Sequence, residues 1–105
     1  MDLPALQQQL RDFVAARDWA RYHTPKNLVM AMSVEMAELV EHFQWLTPEE
    51  SQALAQDEAK RDLVEQEMAD VMLYMLQLAD VMNVDMEAAM LRKMKLNAIK
   101  HPPKV

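Results

Sequence analysis

The sequence predicts an all-α fold, a bundle of four to five helices within a single domain that spans residues 1–105. The chain contains no glycine, and its five prolines all fall where a helix would begin or after the last helix ends. In addition, no segment alternates apolar and polar residues in the way that a strand does. A chain of this length corresponds to one domain, and the lack of glycine argues against phosphate-binding loops and dinucleotide folds.

The first two predicted helices each begin at a proline. Pro4 is expected to open a helix that runs to about Tyr22. Thr24 has the side chain of a helix N-cap and Pro25 follows at the first helical position, so a second helix should run from there to about Trp45. The residues expected to point inward from the first helix are Leu6, Leu10, Phe13, Val14 and Ala20.

The remaining elements are separated by capping residues. Residues 47–50 (Thr-Pro-Glu-Glu) have the pattern of a capping box and begin a short polar segment that extends through residue 56. A long helix is predicted over residues 57–82, and the turn at residues 83–85 ends in an aspartate that can cap a last helix. That helix should reach about Lys100, because two prolines follow shortly afterwards.

Two carboxylate pairs are the main functional signal. Glu35 and Glu38, and then Glu67 and Asp70, are three residues apart, so each pair points to one side of its helix. Both pairs lie inside the most apolar stretches of the chain, where unpaired carboxylates are costly and mutual repulsion adds to the cost. A hard divalent cation prefers oxygen ligands, so these four residues predict a site for Mg²⁺, with Mn²⁺ as a substitute. The alternative is two solvated acidic stripes on ordinary amphipathic helices.

Other chemistries fit the sequence less well. A di-iron bundle would need a glutamate followed three residues later by histidine, whereas His42 lies four residues after Glu38. A nucleophilic enzyme is disfavoured because cysteine is absent, and neither Ser33 nor Ser51 has a histidine near it in the sequence. Metal-assisted hydrolysis of a phosphate compound is therefore the chemistry that suits the carboxylates best.

The second and the long helix are apolar on more than one face, which predicts a homo-oligomer. A helix that is apolar nearly all round is normally buried on several sides, and one short chain offers too few partners. The apolar residues beyond the carboxylate faces include Met32, Met36, Phe43, Leu73 and Leu76. The alternative is a monomer whose 11 methionines fill an irregular core.

Composition restricts the partners. The formal net charge of -6 argues against nucleic-acid binding, and an anionic substrate would need metal ions to reverse the local charge. The chain has no cysteine, no apolar run of the length of a membrane span and no evident signal peptide. We therefore expect a cytoplasmic protein with neither nucleic-acid nor membrane partners.

Together, these residues resemble the all-α nucleoside triphosphate pyrophosphohydrolases of the MazG-like superfamily, and within it the dCTP pyrophosphatase branch. The similarity extends over about residues 10 to 102, nearly the whole chain. It is carried by Arg17-Asp18-Trp19, the segment 23–28 (His-Thr-Pro-Lys-Asn-Leu), Phe43-Gln44-Trp45, the two carboxylate pairs, and Lys93 followed by Asn97. Two positions depart from the branch, since Leu10 stands where it has histidine and His101 where it has tyrosine.

The resemblance implies a role for each matching residue. Glu35, Glu38, Glu67 and Asp70 match the magnesium ligands, and either Glu35 or Glu38 would orient the attacking water. Trp19 and Trp45 match aromatic residues that enclose the base, Tyr74 matches a pocket tyrosine, and Lys93 and Asn97 match residues that hold the phosphates. Without the resemblance, the aromatic residues would be ordinary core or lid residues, and Lys93 would be a cation near a helix C-terminus.

The sequence thus predicts a Mg²⁺-dependent enzyme that splits a nucleoside triphosphate into a monophosphate and pyrophosphate, clearing unwanted deoxynucleotides. A pyrimidine substrate such as dCTP is what the resemblance implies. Two alternatives stay open: a non-enzymatic helical oligomer that acts as an adaptor, and a related hydrolase of another phosphoanhydride such as dUTP or a histidine-biosynthesis intermediate.

Overall fold

The computed structural model describes residues 1–104, and within them the chain forms five α-helices and no strand. The helices are α1 (Leu3–Ala16), α2 (Pro25–Glu41), α3 (Pro48–Ala53), α4 (Glu58–Val81) and α5 (Met86–Lys100), with short 3-10 turns at Ala20–Tyr22 and Leu54–Gln56. The predicted all-α class is confirmed. No helix in this described part of the chain is long and apolar enough to cross a membrane.

Polar side chains begin the helices as the sequence predicts. The Thr24 hydroxyl accepts a hydrogen bond from the Asn27 amide, which caps α2. At α3 the predicted capping box is present, because Thr47 accepts from the Glu50 amide while the Glu50 carboxylate accepts from the Thr47 amide. Asp85 caps α5. Each cap satisfies amide groups that the first helical turn leaves without partners.

The first two helices are shorter than predicted. Helix α1 ends at Ala16 rather than near Tyr22, because Asp18 adopts a left-handed backbone conformation with φ of 55° and reverses the chain. Aspartate tolerates this conformation better than most residues, since its short polar side chain can bond locally. Helix α2 ends at Glu41, and residues 42–45 form a turn instead of a last helical turn. The predicted polar segment after it is helix α3 and a 3-10 turn.

Helices α2 and α4 form the centre of the fold, with α1 packed on α4. The salt bridge between Arg11 and Asp80, at 2.6 Å, ties α1 to α4, and the Gln7 side chain donates to the Leu76 carbonyl at 3.0 Å. The buried apolar residues of the described chain are Val14, Leu28, Val64, Leu76 and Ala79, and of these Leu28 is fully buried. This core is small for a chain of 105 residues.

Two residues predicted to point inward from the first helix do not. Phe13 is 47% exposed, and Ala20 is exposed on the 3-10 turn that follows α1. Leu6 and Leu10 are half-buried, and only Val14 of this set is buried. The prediction was wrong for Ala20 because it assumed that the helical periodicity of α1 continues through residues 17–20, where the chain in fact turns.

Much apolar surface is left exposed along α5 and on the outer faces of α2 and α4. Every residue from 91 to 100 is exposed, and Met94 is 68% accessible. The other large exposed apolar residues of α5 are Met90, Leu91, Leu96 and Ile99. An apolar surface of this extent is unusual for a monomer.

Replacing Leu28 should test the small core. Its side chain is 1% exposed, and Leu28→Ala should lower the free energy of unfolding by about 2–5 kcal/mol, because the mutation removes apolar contacts and leaves a cavity. Urea denaturation at fixed protein concentration measures the effect. Lys26→Ala, at an exposed position of the same helix, is the control and should change stability by less than about 0.5 kcal/mol. Equal stability of the two variants would contradict this view of the core.

Candidate functional site

Three glutamates meet between the two central helices. Glu35 and Glu38 of α2 face Glu67 of α4, and each offers one carboxylate oxygen within 4.8 Å of the others. The Oε2 atoms of Glu35 and Glu67 are buried and have no hydrogen-bond partner among the described residues. The packing of α2 on α4 thus brings together acids that are 32 residues apart in the sequence, the separation of Glu35 and Glu67.

The charge state of these acids is strongly perturbed. Burial raises the pKa of Glu35 to about 7, and the adjacent Glu38 adds to the rise through a hydrogen bond and its charge. The pKa of Glu67 is also raised, first by burial and then by Glu38. Both shifts mean that gathering ionised carboxylates here costs free energy.

Asp70 lies beside the three glutamates rather than among them. It is exposed on α4, and its negative charge is one of the smaller causes of the raised pKa of Glu35. It also lines the neighbouring cavity, together with Glu35. The structure therefore places three of the four carboxylates singled out by the sequence in one tight group and the fourth at its edge.

The carboxylate group suits a hard divalent cation. Its donors are oxygen atoms only, which matches the ligands of Mg²⁺ and Mn²⁺ better than those of zinc or copper. Two buried oxygens without partners, one on Glu35 and one on Glu67, are the atoms that a cation would satisfy. Glu35, Glu38 and Glu67 could hold such an ion, and Asp70 is near enough for its charge to contribute.

A cavity of about 380 Å³ adjoins the carboxylates. Its wall is contributed by α1, the residues after it, α2 and α4, and consists of Leu10, Phe13, Trp19, His23, Glu35, Asp70, Leu73, Tyr74 and Gln77. The Trp19 ring packs edge-on against Phe13 with centroids 5.8 Å apart. This combination of aromatic walls with acids at one side suits a ligand that has a flat ring and a charged tail.

The aromatic wall depends on the chain reversal after α1. Because Asp18 turns the backbone, the Trp19 amide donates to the Val14 carbonyl at 3.1 Å, and the indole returns over Phe13. The Arg17 guanidinium lies over the other ring of this pair, 3.5 Å from the Phe13 centroid. Trp19 thus reaches the cavity through a local turn and not through a continuous helix.

The structure puts some site candidates in this cavity and leaves others outside it. Trp19 and Tyr74 line the cavity, whereas Trp45 is 86% exposed in the turn after α2. Lys93 and Asn97 are exposed on α5 and are not among the residues of the cavity wall. For Trp45, Lys93 and Asn97, a contact with ligand remains a prediction.

Sequence reasoning did not single out every residue of the wall. Phe13 is predicted to point into the core, and the sequence analysis assigns no site role to His23 or Gln77, although all three line the cavity. For Gln77 the signal was available, because its spacing of three from Tyr74 places both on one side of α4. For His23 the turn after α1 had to be known first.

His42 is a further neighbour of the carboxylates. Its Nε2 atom lies 4.0 Å from Oε1 of Glu67, and both side chains are largely shielded from solvent. At this distance the two groups are not joined by a direct hydrogen bond. His42 is therefore a polar neighbour of the carboxylates that makes no direct hydrogen bond to Glu67.

Comparisons with known proteins agree with the fold and the motifs. The MazG-like family matches residues 30–104. The dCTP pyrophosphatase 1 of Homo sapiens is 37% identical over 91 residues, and that of Bos taurus has the same identity and length of match. Each alignment covers 87% of this chain but 54% of the relative, so the chain spans about half the length of the curated relatives it matches.

A solved structure is similar over almost the whole chain. It is a pyrophosphatase from Archaeoglobus fulgidus, 41% identical, and it superimposes with a TM-score of 0.86. The match covers 98% of this chain and 94% of the archaeal one. The five-helix arrangement, the paired carboxylates and these similarities together show that the chain belongs to the MazG-like family.

Proposed function

We propose that this protein is a Mg²⁺-dependent pyrophosphohydrolase that converts a nucleoside triphosphate to the monophosphate and pyrophosphate. The observation that carries the proposal is the convergence of Glu35, Glu38 and Glu67 beside an aromatic cavity. The names of the relatives, a dCTP pyrophosphatase and a pyrophosphatase, support the reaction class. The net charge of -6 favours a free nucleotide handled through a cation over a nucleic acid.

Glu35, Glu38 and Glu67 would hold the cation, with Asp70 completing the set from the edge of the cavity. When bound, Mg²⁺ supplies a Lewis acid that neutralises phosphate charge and acidifies a coordinated water. Mn²⁺ should substitute, because it accepts the same oxygen donors. The two buried oxygens without partners are the reason to expect binding here and not at another acidic patch.

Side chains of the cavity wall would bind the base, and a carboxylate of the glutamate group would activate the water. Trp19 and Tyr74 line the cavity next to the acids, so the base would lie against them and the phosphates toward Glu35. A carboxylate oxygen of Glu35 or Glu38 would orient the attacking water and accept its proton. The raised pKa of Glu35 is that of the metal-free group, and a bound cation would lower it, which would leave the carboxylate ionised and able to accept a proton.

We propose a pyrimidine deoxynucleotide such as dCTP as the substrate. The support is the 37% identity to a dCTP pyrophosphatase and the presence of Trp19 and Tyr74 in the cavity. Lys93 and Asn97 would hold the phosphates, and their spacing of four places them on one face of α5. Lys93 and Asn97 are exposed on α5 and lie outside the cavity wall. They could hold the phosphates only if α5 moves or if it lies against another copy of the chain.

We also propose that the protein is a homo-oligomer. The support is the exposed apolar surface of α2, α4 and α5 together with the small set of buried residues. Burying this surface against a second copy would supply the core that one chain lacks.

Pyrophosphate release tests the reaction. With Mg²⁺, the protein should release pyrophosphate from at least one member of a panel of deoxynucleoside and nucleoside triphosphates, and EDTA should abolish the release. Glu38→Gln should lower kcat by at least about 100-fold, because it removes a proposed ligand of the ion. Glu41→Gln, an exposed acid one turn further along the chain, is the matched control and should retain activity. Absence of release from every triphosphate would favour the adaptor alternative.

The pH dependence of stability tests the carboxylate group in metal-free protein. The pKa of Glu35 is about 7 in the folded chain against 4.5 in the unfolded chain, so the folded state binds the extra proton between these values. In EDTA, thermal stability should therefore fall as the pH rises from about 4.5 to 7. Mg²⁺ should raise the melting temperature most at the upper end of this range, where the carboxylates are ionised.

Two variants separate this effect from general titration. Glu35→Gln should flatten the fall in stability and weaken the effect of Mg²⁺, whereas Glu41→Gln should leave both unchanged. A melting temperature that does not respond to Mg²⁺ at pH 7 in the wild-type protein would count against the metal site.

Sedimentation tests the assembly. One chain has a mass of 12.2 kDa, so the wild-type protein should sediment as a species of at least 2 × 12.2 = 24.4 kDa at micromolar concentration. Met94→Glu should shift it toward the monomer, because it places a charge on the exposed apolar side of α5. Lys95→Glu, at the next position, is the control: it makes the net charge more negative by two units, against one for Met94→Glu, but removes no apolar side chain, and it should keep the wild-type mass. A wild-type monomer under these conditions would refute the assembly.

A further inference from the structure

A row of side chains runs from the protein surface into the aromatic wall of the cavity. The Arg17 guanidinium lies over the Phe13 ring, and the Phe13 and Trp19 rings meet edge to face. The Trp19 ring in turn is 6.4 Å from the His23 ring, centroid to centroid. Phe13, Trp19 and His23 all line the cavity, whereas Arg17 does not. Arg17 is therefore the outer end of the row, and the proposed reaction gives it no role.

Burial does little to fix the two rings next to Arg17. Phe13 is 47% exposed and Trp19 is 43% exposed, so neither ring is enclosed by a core. The buried residue of α1 is Val14, which is not part of the cavity wall. The orientation of the two rings therefore depends on the side chains that touch their exposed sides.

The end of α1 holds the Arg17 side chain against Phe13. The Arg17 amide donates to the Val14 carbonyl at 3.2 Å rather than to the Phe13 carbonyl, which a continuing helix would engage. The guanidinium donates to the Phe13 carbonyl instead, with Nη1 3.0 Å from the oxygen. With this hydrogen bond in place, the guanidinium carbon lies 3.5 Å from the centre of the Phe13 ring.

We propose that Arg17 is a positioning residue, which orders Trp19 for the ligand by stacking on Phe13. A guanidinium plane is attracted to the face of an aromatic ring, and at this distance it restricts the rotation of the ring. A fixed Phe13 ring in turn restricts the indole that meets it edge to face.

An ordered indole favours binding. The ligand meets a ring that already has its bound orientation, so binding does not have to supply the free energy of ordering it. This part of the assignment rests on the proposed function, in which a base lies against Trp19. The ordering of Trp19 by Arg17 is a property of the protein without ligand and does not depend on the reaction.

Two simpler roles of Arg17 have different consequences. As a cap of α1 alone, its hydrogen bond to the Phe13 carbonyl would contribute stability and leave the motion of the indole unchanged. As a surface charge that attracts phosphates, it would affect charged ligands only. Positioning through Phe13 instead makes Trp19 more mobile when Arg17 is replaced, and it weakens the binding of an uncharged ligand as well.

The first test follows Trp19 in ligand-free protein. In a Trp45→Phe background, Trp19 is the single tryptophan of the chain, so tryptophan fluorescence reports it alone. Arg17→Met removes the guanidinium and should raise the amplitude of nanosecond motion in the fluorescence anisotropy decay about twofold. Arg17→Lys should have most of the same effect, because lysine keeps the charge and can donate to the Phe13 carbonyl but has no plane to cover the ring. Arg17 is exposed, so both variants should fold, which circular dichroism checks.

The matched control is Arg21→Met. The Arg21 guanidinium is 4.8 Å from the Tyr22 ring centroid, and Tyr22 is not among the residues of the cavity wall. The 3.6 Å ion pair of Arg21 with Asp18 joins two exposed side chains and contributes little. This variant thus removes a stacked guanidinium and one positive charge outside the wall, and it should keep the wild-type decay. An unchanged decay in Arg17→Met, a wild-type decay in Arg17→Lys or an equal change in Arg21→Met would overturn the assignment.

The second test uses a ligand without charge. Quenching of Trp19 fluorescence by 2′-deoxycytidine, in the same background, measures the binding of a nucleoside that has no phosphate. Arg17→Met should weaken this binding about threefold and, with Trp45 intact, raise KM for dCTP by a similar factor while kcat stays within about twofold. A higher KM for dCTP with unchanged affinity for the nucleoside would place Arg17 on the phosphates and overturn the positioning role. Absence of nucleoside binding would overturn the role in ligand binding.

The two tests separate the assignment from the proposed reaction. The anisotropy decay needs no substrate, so a more mobile Trp19 in Arg17→Met would support the ordering role even if no triphosphate released pyrophosphate. Pyrophosphate release together with a decay that does not respond to Arg17→Met would reject the ordering role and continue to support the reaction.

Discussion

The packing of α2 against α4 is the constraint on which the rest of the structure depends. It brings Glu35, Glu38 and Glu67 to within 4.8 Å of one another, and it buries one oxygen of Glu35 and one of Glu67 without a partner. Apolar burial elsewhere along the two helices has to offset this repulsion, because a helix pair with no such burial would separate under it. Apolar packing along α2 and α4 thus holds together carboxylates that repel one another, an arrangement typical of functional sites.

The limited core makes this arrangement sensitive. Only five apolar residues of the described chain are buried, and large apolar side chains remain on the outside of α2, α4 and α5. Whatever covers that surface contributes to the stability that keeps the three glutamates together. Stability, assembly and cation binding are therefore expected to be linked in this protein and not independent of one another.

The sequence predicts a large part of the fold and of the carboxylate group, because the signals are local. Thr47 and Glu50 form a capping box through residues three apart, and the spacing of Glu35 and Glu38 places both on one side of a helix whatever the tertiary structure. The helix ends were less predictable. The left-handed backbone of Asp18 has no distinctive sequence pattern in a chain without glycine, so helical periodicity alone predicts that α1 continues past its true end.

The cavity wall was harder to predict because it depends on elements that are distant in the sequence. His23 reaches the cavity only because the chain turns after α1, and the unpartnered oxygen of Gln77 follows from the surroundings of one atom. Side-chain spacing shows which residues share a helix face, but it does not show which atoms lack a hydrogen-bond partner. The contribution of α5 is a different case, since residues 91–100 are all exposed and neither Lys93 nor Asn97 belongs to the cavity wall.

The turn at Asp18 has a consequence for how this protein can evolve. The indole of Trp19 is positioned by a few local contacts in residues 13–19, whereas the glutamates are positioned by the seam between two long helices. These are separate structural units that share one cavity. Mutations in the short segment can therefore reshape the side that receives the ring while leaving the acids in place, so that ligand preference can diverge among descendants that retain a common reaction centre.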